Sequence, residues 1–428
     1  MAPGTGGVKE LYHQEFARRF AEAGIAALLF DYPSFGTSGG EPQQPNAGAT
    51  PRPIRGHRAV AACTIRLPGS YQRAERACDD NHLQQAHTRV TADTFPILNG
   101  LSIKRVVINP GAMRTPHWHA NANEFTYCLS GTSLISVLDS GSQFSSFTVS
   151  AGEMFHIDSG SLHHIENIGD EVAEFIIAFR HERPEDFGLG AAFGAMTDAV
   201  LGNTYDLPAS DFAAIHRDTS DRALAARAGD PVVPTTAYFS DSHKFAVESQ
   251  SAPISIAVGS ARLARVQFWS ALKDLAMYSL RIREDGMREP HWHPITAEMG
   301  YVHRGSARMT VMDPDGSLDT WHLKEGDVYF VPRAYPHHIE VVGSDDIHFL
   351  IFFDQPTPGD IGYRASASAY SRAVLAATFN THMAALPAFP FTNSDPLIVT
   401  RNNPVDEYAM GEKHEVQLSG RSAGPLCS

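Results

Sequence analysis

The sequence predicts a mainly β protein built from two copies of one small barrel or sandwich domain, on three observations. From about residue 95 to 380 the chain is a succession of short runs such as LSIKRVVI, SLISVLD, EFIIAF, ARMTVMD and HFLIFF, divided by Gly, Pro, Asn and Asp. Many short strands with turn-forming residues between them make sandwiches and barrels. PHWHANANEFTYCLSG (116–131) reappears as PHWHPITAEMGYVHRG (290–305), an offset of 174 residues. The register runs from Arg114 and Arg288 through Gly131/Gly305, Gly152/Gly326 and Asp186/Asp360 to AVLGNTY (199–205) and AVLAATF (373–379) with no net insertion, as a duplicated domain requires. Finally, 428 residues with 43% apolar and 19% charged side chains suffice for more than one buried core.

Residues 1–45 are of a different design. Leu11, Phe16, Phe20 and Ala23 lie at helical spacing, Gly24 is a C-cap, and residues 25–32 are a short apolar strand. The stretch GGVKELYHQEFARRFAEAGIAALLFDYPSFGTSGGEP resembles the early part of an α/β-hydrolase. Gly36-Thr37-Ser38-Gly39-Gly40 matches the G-x-S-x-G pattern, but a nucleophile elbow needs a helix next, and EPQQPNAGATPRP cannot begin one. Residues 46–85 read as an irregular linker, 86–205 as the first repeat and 206–240 as a polar connector. Residues 241–380 are the second repeat, with a few peripheral helices, and 381–428 a tail.

Composition excludes several function classes. With 48 acidic against 34 basic residues the formal charge is −14, which argues against nucleic acid or an anionic membrane as main partner. Cys63, Cys78, Cys128 and Cys427 form no CxxC pair, so neither a disulfide framework nor a thiolate metal site is expected. The N-terminus carries early charges and no apolar core, and no window approaches a spanning helix. The expected location is therefore cytoplasmic.

The 21 histidines are explained in part by the repeat. Residues two apart on a strand face the same way, so His117 and His119 point to one face, as do His291 and His293. Glu124 returns on a neighbouring strand, and His163 follows a strand that enters a Gly-rich turn; Glu298 and His337 repeat this in the second copy. A single HxH is common, but two HxHx₄E segments, each with a histidine 39 residues after the glutamate, are hard to produce by chance. Three imidazoles and a carboxylate suit Mn, Fe, Co, Ni or Zn, and the absence of thiolate argues against copper(I). Four such ligands on an octahedral ion leave two positions for a bidentate substrate, or for substrate and dioxygen.

GAMRTPHWHANANEFTYCLSG with GEMFHIDSGSLHHIEN, and REPHWHPITAEMGYVHRG with GDVYFVPRAYPHH, resemble the two motifs of the cupin family. Two such copies in tandem, each with an arginine three residues before the first histidine, are similar to the bicupin oxalate decarboxylases. The resemblance implies two double-stranded β-helix (jelly-roll) barrels, each with one internal metal, Mn²⁺ in those enzymes. It also implies a small carboxylate substrate, oxalate, split into formate and CO₂ with dioxygen as a participant, and homo-oligomers.

By the same resemblance Arg114 and Arg288 hold the substrate carboxylate in a two-point fork; a structural ion pair at the barrel rim is the other reading. Their odd spacing from the ligands demands a bulge near Pro116 and Pro290. In the resembled enzymes a lid glutamate after the last barrel strand supplies the proton. The Ser-Glu-Asn-Ser lid is absent here; Glu185 or Asp186 could serve the first copy and Asp360 the second, or these residues form a solvated acidic turn.

Asp158, Ala334 and Val341 replace a usual Pro, Gly and Asn, and Asp285 stands where the first copy has Gly111. Trp118 and Trp292 should face away from the metal, Tyr127 and Tyr301 should pack in the core, and His164 and His338 should be structural. Two other readings remain at this point. One is a metal-cupin dioxygenase or isomerase acting on a larger substrate in a wide apolar pocket. The other is a storage or binding bicupin, against which the retention of all eight ligands weighs.

Overall fold

A computed structural model describes residues 64–66, 87–392, 394–405 and 415–416. The hydrolase-like segment with Ser38 lies outside the described residues, as do most of the 46–85 linker and the end of the tail.

Each repeat folds as two antiparallel sheets facing one another. In the first, one sheet orders His87–Val90, Ser102–Ile108, Ala173–Phe179, Glu124–Ser130, Met154–Ile157 and Lys244–Phe245. The sheet opposite orders Asp186–Gly188, Ala112–His119, Leu162–Asn167, Thr132–Asp139 and Gln143–Ser150. The second repeat has the same plan. Ala276–Ile282, Ile347–Phe353, Glu298–Arg304 and Asp327–Val331 adjoin in one sheet, and Leu318–Lys324, Ser306–Met312, His337–Val341, Gly286–Trp292 and Ile361–Gly362 form the other. Thr64–Arg66 extends the former sheet by pairing antiparallel with Asp327–Tyr329.

Alternation along the strands makes two kinds of core. Inward residues such as Val106, Ile135, Phe155 and Phe175 fill the first barrel, and Leu280, Met309, Trp321 and Phe349 the second. The outward faces of the sheets that contain Glu124–Ser130 and Glu298–Arg304 are apolar as well and pack on each other. Ile103, Phe125, Tyr127 and Ile176 share one buried cluster with Met277, Met299, Tyr301 and Leu350. Glu124 and Phe125 therefore point to opposite sides of one strand, the first into its barrel and the second into the seam between barrels. Tyr127 and Tyr301 pack in this seam, as expected.

The strand that carries the HxH is bulged in both copies. Its register with the neighbour runs Arg114↔Ile165 and then His117↔His163, and likewise Arg288↔Ile339 and then His291↔His337. The extra residue lets an arginine three positions before a ligand reach the same end of the barrel. The repeat also extends beyond the segments in which the sequence showed it. Leu224–Ala226 adds to Ala112–Arg114, and Ile398–Thr400, at the same offset of 174, adds to Gly286–Arg288. Part of the connector and part of the tail thus complete their barrels.

Helices are short and peripheral. Asp198–Tyr205 and Arg372–Thr378 start at Thr197 and Ser371, whose hydroxyls accept from the backbone N–H of Val200 and Val374. Among the described residues no helix is long and apolar enough to cross a membrane.

Candidate metal centres

The structure gathers His117, His119, Glu124 and His163 at one point, and His291, His293, Glu298 and His337 at another, with the candidate ligand atoms of each set within 4.8 Å of one another. All eight side chains are buried. In each ring Nδ1 is occupied by an oxygen acceptor. His117 and His163 donate to the carbonyls of Thr115 (2.8 Å) and Ser161 (3.0 Å), and His291 and His337 to those of Glu289 (2.8 Å) and Tyr335 (2.9 Å). His119 donates to Asp186 Oδ1 (2.7 Å), and His293 Nδ1 lies 2.9 Å from Asp360 Oδ1. This turns every Nε2 toward the centre, where those of His119 and His293 lie 2.8 Å from Glu124 Oε2 and Glu298 Oε2, the orientation that outer carbonyls and carboxylates impose on metal-binding histidines.

The electrostatics agree with a cation site. Burial holds His117 and His291 well below the ordinary imidazole range, hence neutral. Burial alone would raise Glu124 and Glu298, but the surrounding histidines keep both well below the usual carboxylate range. His163 Nε2 is buried without a hydrogen-bond partner, 3.4 Å from Glu124 Oε2. An inward lone pair with no donor, beside an ionised carboxylate, is what a bound divalent ion would satisfy, so the residues fit a metal.

The cupin family model matches residues 74–211 and again 248–384. The chain belongs to the cupin family. Among curated proteins it is 26% identical over 346 residues to the oxalate decarboxylase OxdC of Bacillus subtilis (strain 168), spanning 73% of this chain and 87% of that one. A germin-like protein 3-8 of Oryza sativa subsp. japonica is 32% identical over 136 residues, spanning 30% of this chain and 60% of that protein. The solved structure of oxalate decarboxylase from Bacillus subtilis at pH 4.6 superposes with a TM-score of 0.65 at 22% identity, covering 74% of this chain and 83% of that one. That likeness establishes the fold: two cupin barrels in tandem.

Within each cupin barrel the arginine and the aspartate after the last core strand, Asp186 or Asp360, are joined. Asp186 accepts from His119 on one oxygen, and from Arg114 Nη2 (3.2 Å) and Lys104 Nζ (3.2 Å) on the other. Arg114 also donates to the carbonyl of Ala223 (3.0 Å), just before the connector strand, with Asp221 3.5 Å away. In the second barrel Asp360 Oδ2 accepts from Arg288, its Oδ1 lies 2.9 Å from His293 Nδ1, which also faces the Gly359 carbonyl at 3.3 Å, and Arg288 donates to the carbonyl of Leu397 (2.9 Å). Leu397 is held at φ +64, a left-handed conformation that a leucine adopts only where its surroundings enforce it.

Burial raises both aspartates, but His119 and Lys104 more than reverse this at Asp186, and Arg288 and His293 bring Asp360 to about 2. They are ionised acceptors that orient a ligand histidine and the arginine. Glu185 differs. Its side chain is exposed, while its backbone is pinned by Asn121 Oδ1 (2.9 Å) and by the N–H of Ala120 (2.8 Å). Gly359 stands at its place in the second copy.

The two centres differ one step deeper in the barrel. Strand register places Lys104, Ile177, Thr126 and Phe155 in one row beside the row of Glu124, and Tyr278, Ile351, Gly300 and Tyr329 in the matching row beside Glu298. Glu124 Oε1 accepts from the Thr126 hydroxyl (2.8 Å), whereas Glu298 Oε1 accepts from the Tyr329 phenol (2.7 Å). Gly300 makes room for that phenol, because a Cβ there would stand 2.1 Å from the Tyr329 ring.

Lys104 is buried with its amine 5.1 Å from the centre of the Phe179 ring, and Tyr278 takes its place in the second barrel. None of these row residues was singled out from sequence; each is an ordinary strand residue, and only the 174-residue offset, applied position by position, pairs Lys104 with Tyr278. Trp118 stacks outside on Phe187 (5.5 Å), Trp292 packs on Tyr363 (6.2 Å), and His164 and His338 lie beside Glu166 and Glu340 (3.6 and 3.3 Å).

Proposed function

We propose that the chain is a metal-dependent bicupin enzyme that cleaves a small carboxylate, oxalate, to formate and CO₂. The supporting observation is the buried three-histidine, one-glutamate set with an arginine fixed at its edge, present twice in a chain that aligns over most of a bacterial oxalate decarboxylase.

Manganese is the metal proposed for each set, His117/His119/Glu124/His163 and His291/His293/Glu298/His337. A solved structure of the Bacillus subtilis enzyme concerns its Mn(II) centres, and the donor set suits that ion. When bound, it would supply a Lewis acid capable of one-electron exchange, with dioxygen as the proposed co-oxidant.

The protein's own contribution is positional. Asp186 and Asp360 turn His119 and His293 so that Nε2 faces the centre, and the same carboxylates hold Arg114 and Arg288 against it. A substrate carboxylate beside the ligands would meet the remaining N–H groups of those arginines. Converting oxalate dianion to CO₂ and formate consumes one proton. Glu185 is our candidate donor in the first barrel, a carboxyl on the loop above the centre with a side chain that is free to turn. Asp186 and Asp360, ionised and paired with His119 and Arg114 or with His293 and Arg288, are assigned to positioning rather than to proton transfer.

Metal per chain, then formate, CO₂ and peroxide from oxalate, test this reading. About two metals per chain and equimolar formate and CO₂ are expected. Two metals with neither formate nor peroxide would overturn the oxalate assignment, and peroxide with two CO₂ would convert it to an oxidase.

A further inference from the structure

One difference between the barrels places a cation beside the carboxylate that orients a ligand histidine. Lys104 reaches the first centre through a single carboxylate: its Nζ is 3.2 Å from Asp186 Oδ2, and Asp186 Oδ1 is 2.7 Å from the Nδ1 of His119. It projects from the same sheet face as Glu124 and Thr126, two strands away, and is closed off from water beneath Phe179. At the equivalent point the second barrel has Tyr278, whose hydroxyl lies 3.4 Å from the carbonyl of Pro358 and is uncharged, because burial pushes it up to about 12.

We infer that Lys104 makes the first centre the site for a doubly charged, dicarboxylate-type anion and leaves the second to singly charged ones. This rests on the reading of the centres as carboxylate sites.

The charges faced by each pocket support it. Around the first centre Glu124 and Asp186 are balanced by Arg114 and Lys104, with Asp221 3.5 Å from Arg114 at the outer side. Around the second, Glu298 and Asp360 are met by Arg288, while Arg265 Nη1 lies farther out, 3.4 Å from the Tyr278 hydroxyl. Behind Arg288 come Glu289, buried with Oε1 unsatisfied, and Asp395, which accepts from the N–H of Gly362 (2.7 Å). With the same divalent ion in both, the charges in direct contact around each centre make the first pocket more positive by one unit, Glu124 and Asp186 against Arg114 and Lys104 there and Glu298 and Asp360 against Arg288 in the second. An anion with one extra charge is favoured there, since charge interactions are strong where water is excluded. The exposed loop carboxyl Glu185 belongs to the same barrel, so the pocket suited to the dianion is also the one with a candidate proton source.

The test uses the full chain loaded with Mn²⁺, with the second centre disabled by His291→Ala and His293→Ala, and reads equilibrium binding by calorimetry and by the Mn²⁺ resonance spectrum. Oxalate and malonate serve as dianions and formate as monoanion. Lys104→Met should weaken both dianions by roughly 10- to 100-fold and formate by less than threefold, with metal content unchanged. Lys104→Arg should retain dianion binding. Lys104→Tyr, a side chain the second barrel already accommodates at this position, should behave like Lys104→Met, which guards against a folding defect in the methionine variant.

Equal losses for dianions and monoanion, or no loss while the metal stays bound, would overturn the inference. Binding of malonate but not oxalate, still dependent on Lys104, would discard oxalate as substrate and keep the assignment of the first centre. Failure of every dianion to bind the unsubstituted first centre would remove both.

Discussion

Asp186→Asn is the sharpest perturbation of the proposed centre, because one carboxylate serves three donors there. His119 Nδ1 approaches at 2.7 Å, and Lys104 Nζ and Arg114 Nη2 at 3.2 Å each. An amide keeps the shape but can offer one carbonyl oxygen, and its NH₂ would confront a cation. Removing one partner of a buried charge network costs about 3–5 kcal/mol, so the metal-free chain should lose that much stability. His119 also loses the acceptor that fixes its tautomer, and such outer partners are worth about 10- to 100-fold in metal affinity, or about 1.4–2.7 kcal/mol. A competition titration with a chromogenic chelator resolves the two sites. One should weaken in Asp186→Asn and the other in Asp360→Asn, with the untouched centre as internal standard. If both sites keep their affinity within twofold in Asp186→Asn, the carboxylate does not govern His119 and the account of the centre fails.

Tyr329→Phe leaves Glu298 Oε1 without its donor (2.7 Å) and should cost about 2 kcal/mol by denaturant unfolding, whereas Phe155→Tyr should clash, since Thr126 occupies the space that Gly300 vacates. Ala334 has φ +65 where the first copy has Gly160 at φ +84, so Ala334→Gly should stabilise by about 0.5–1 kcal/mol and Gly160→Ala, whose Cβ would meet nothing, should destabilise by a similar amount. His338 and Arg308 (2.6 Å) hold Glu340 at about 2 against an ordinary 4.5. Its contribution is therefore complete above about pH 4.5 and disappears as pH falls toward 2; the stability gap between the native chain and Glu340→Gln should shrink from about 2 kcal/mol at pH 6 to near zero at pH 2, and a gap constant with pH would refute it.

The ligand sets were legible in the sequence because a metal imposes residue type and spacing together, and a duplication prints the constraint twice. Arg114 and Arg288 were legible for the same reason, and the need for a bulge followed from their odd spacing. The partner of each arginine was not. Asp186 and Asp360 stood out as acids near a lid, but whether an acid gives or takes a hydrogen bond depends on what surrounds it, here His119 and Lys104 or His293 and Arg288. Lys104 and Tyr329 stayed hidden because each is one polar residue on a generic apolar strand. Leu224–Ala226 and Ile398–Thr400 are too short to announce themselves as strands and are defined by the edge they complete.

The seam between the barrels has a consequence for how the two centres came to differ. Equivalent residues line both of its sides in one buried cluster, Ile103 and Met277, Phe125 and Met299, Tyr127 and Tyr301, as the self-complementary interface of a two-fold homodimer does. In such a dimer one gene writes both sites, so an ammonium cannot enter one pocket without entering the other. Fusion of the two halves into a single chain lifts that restriction. The seam keeps equivalent positions on both sides while each barrel is free to vary by itself, and Lys104 in the place of Tyr278, or Thr126 in the place of Gly300, marks where the two centres differ.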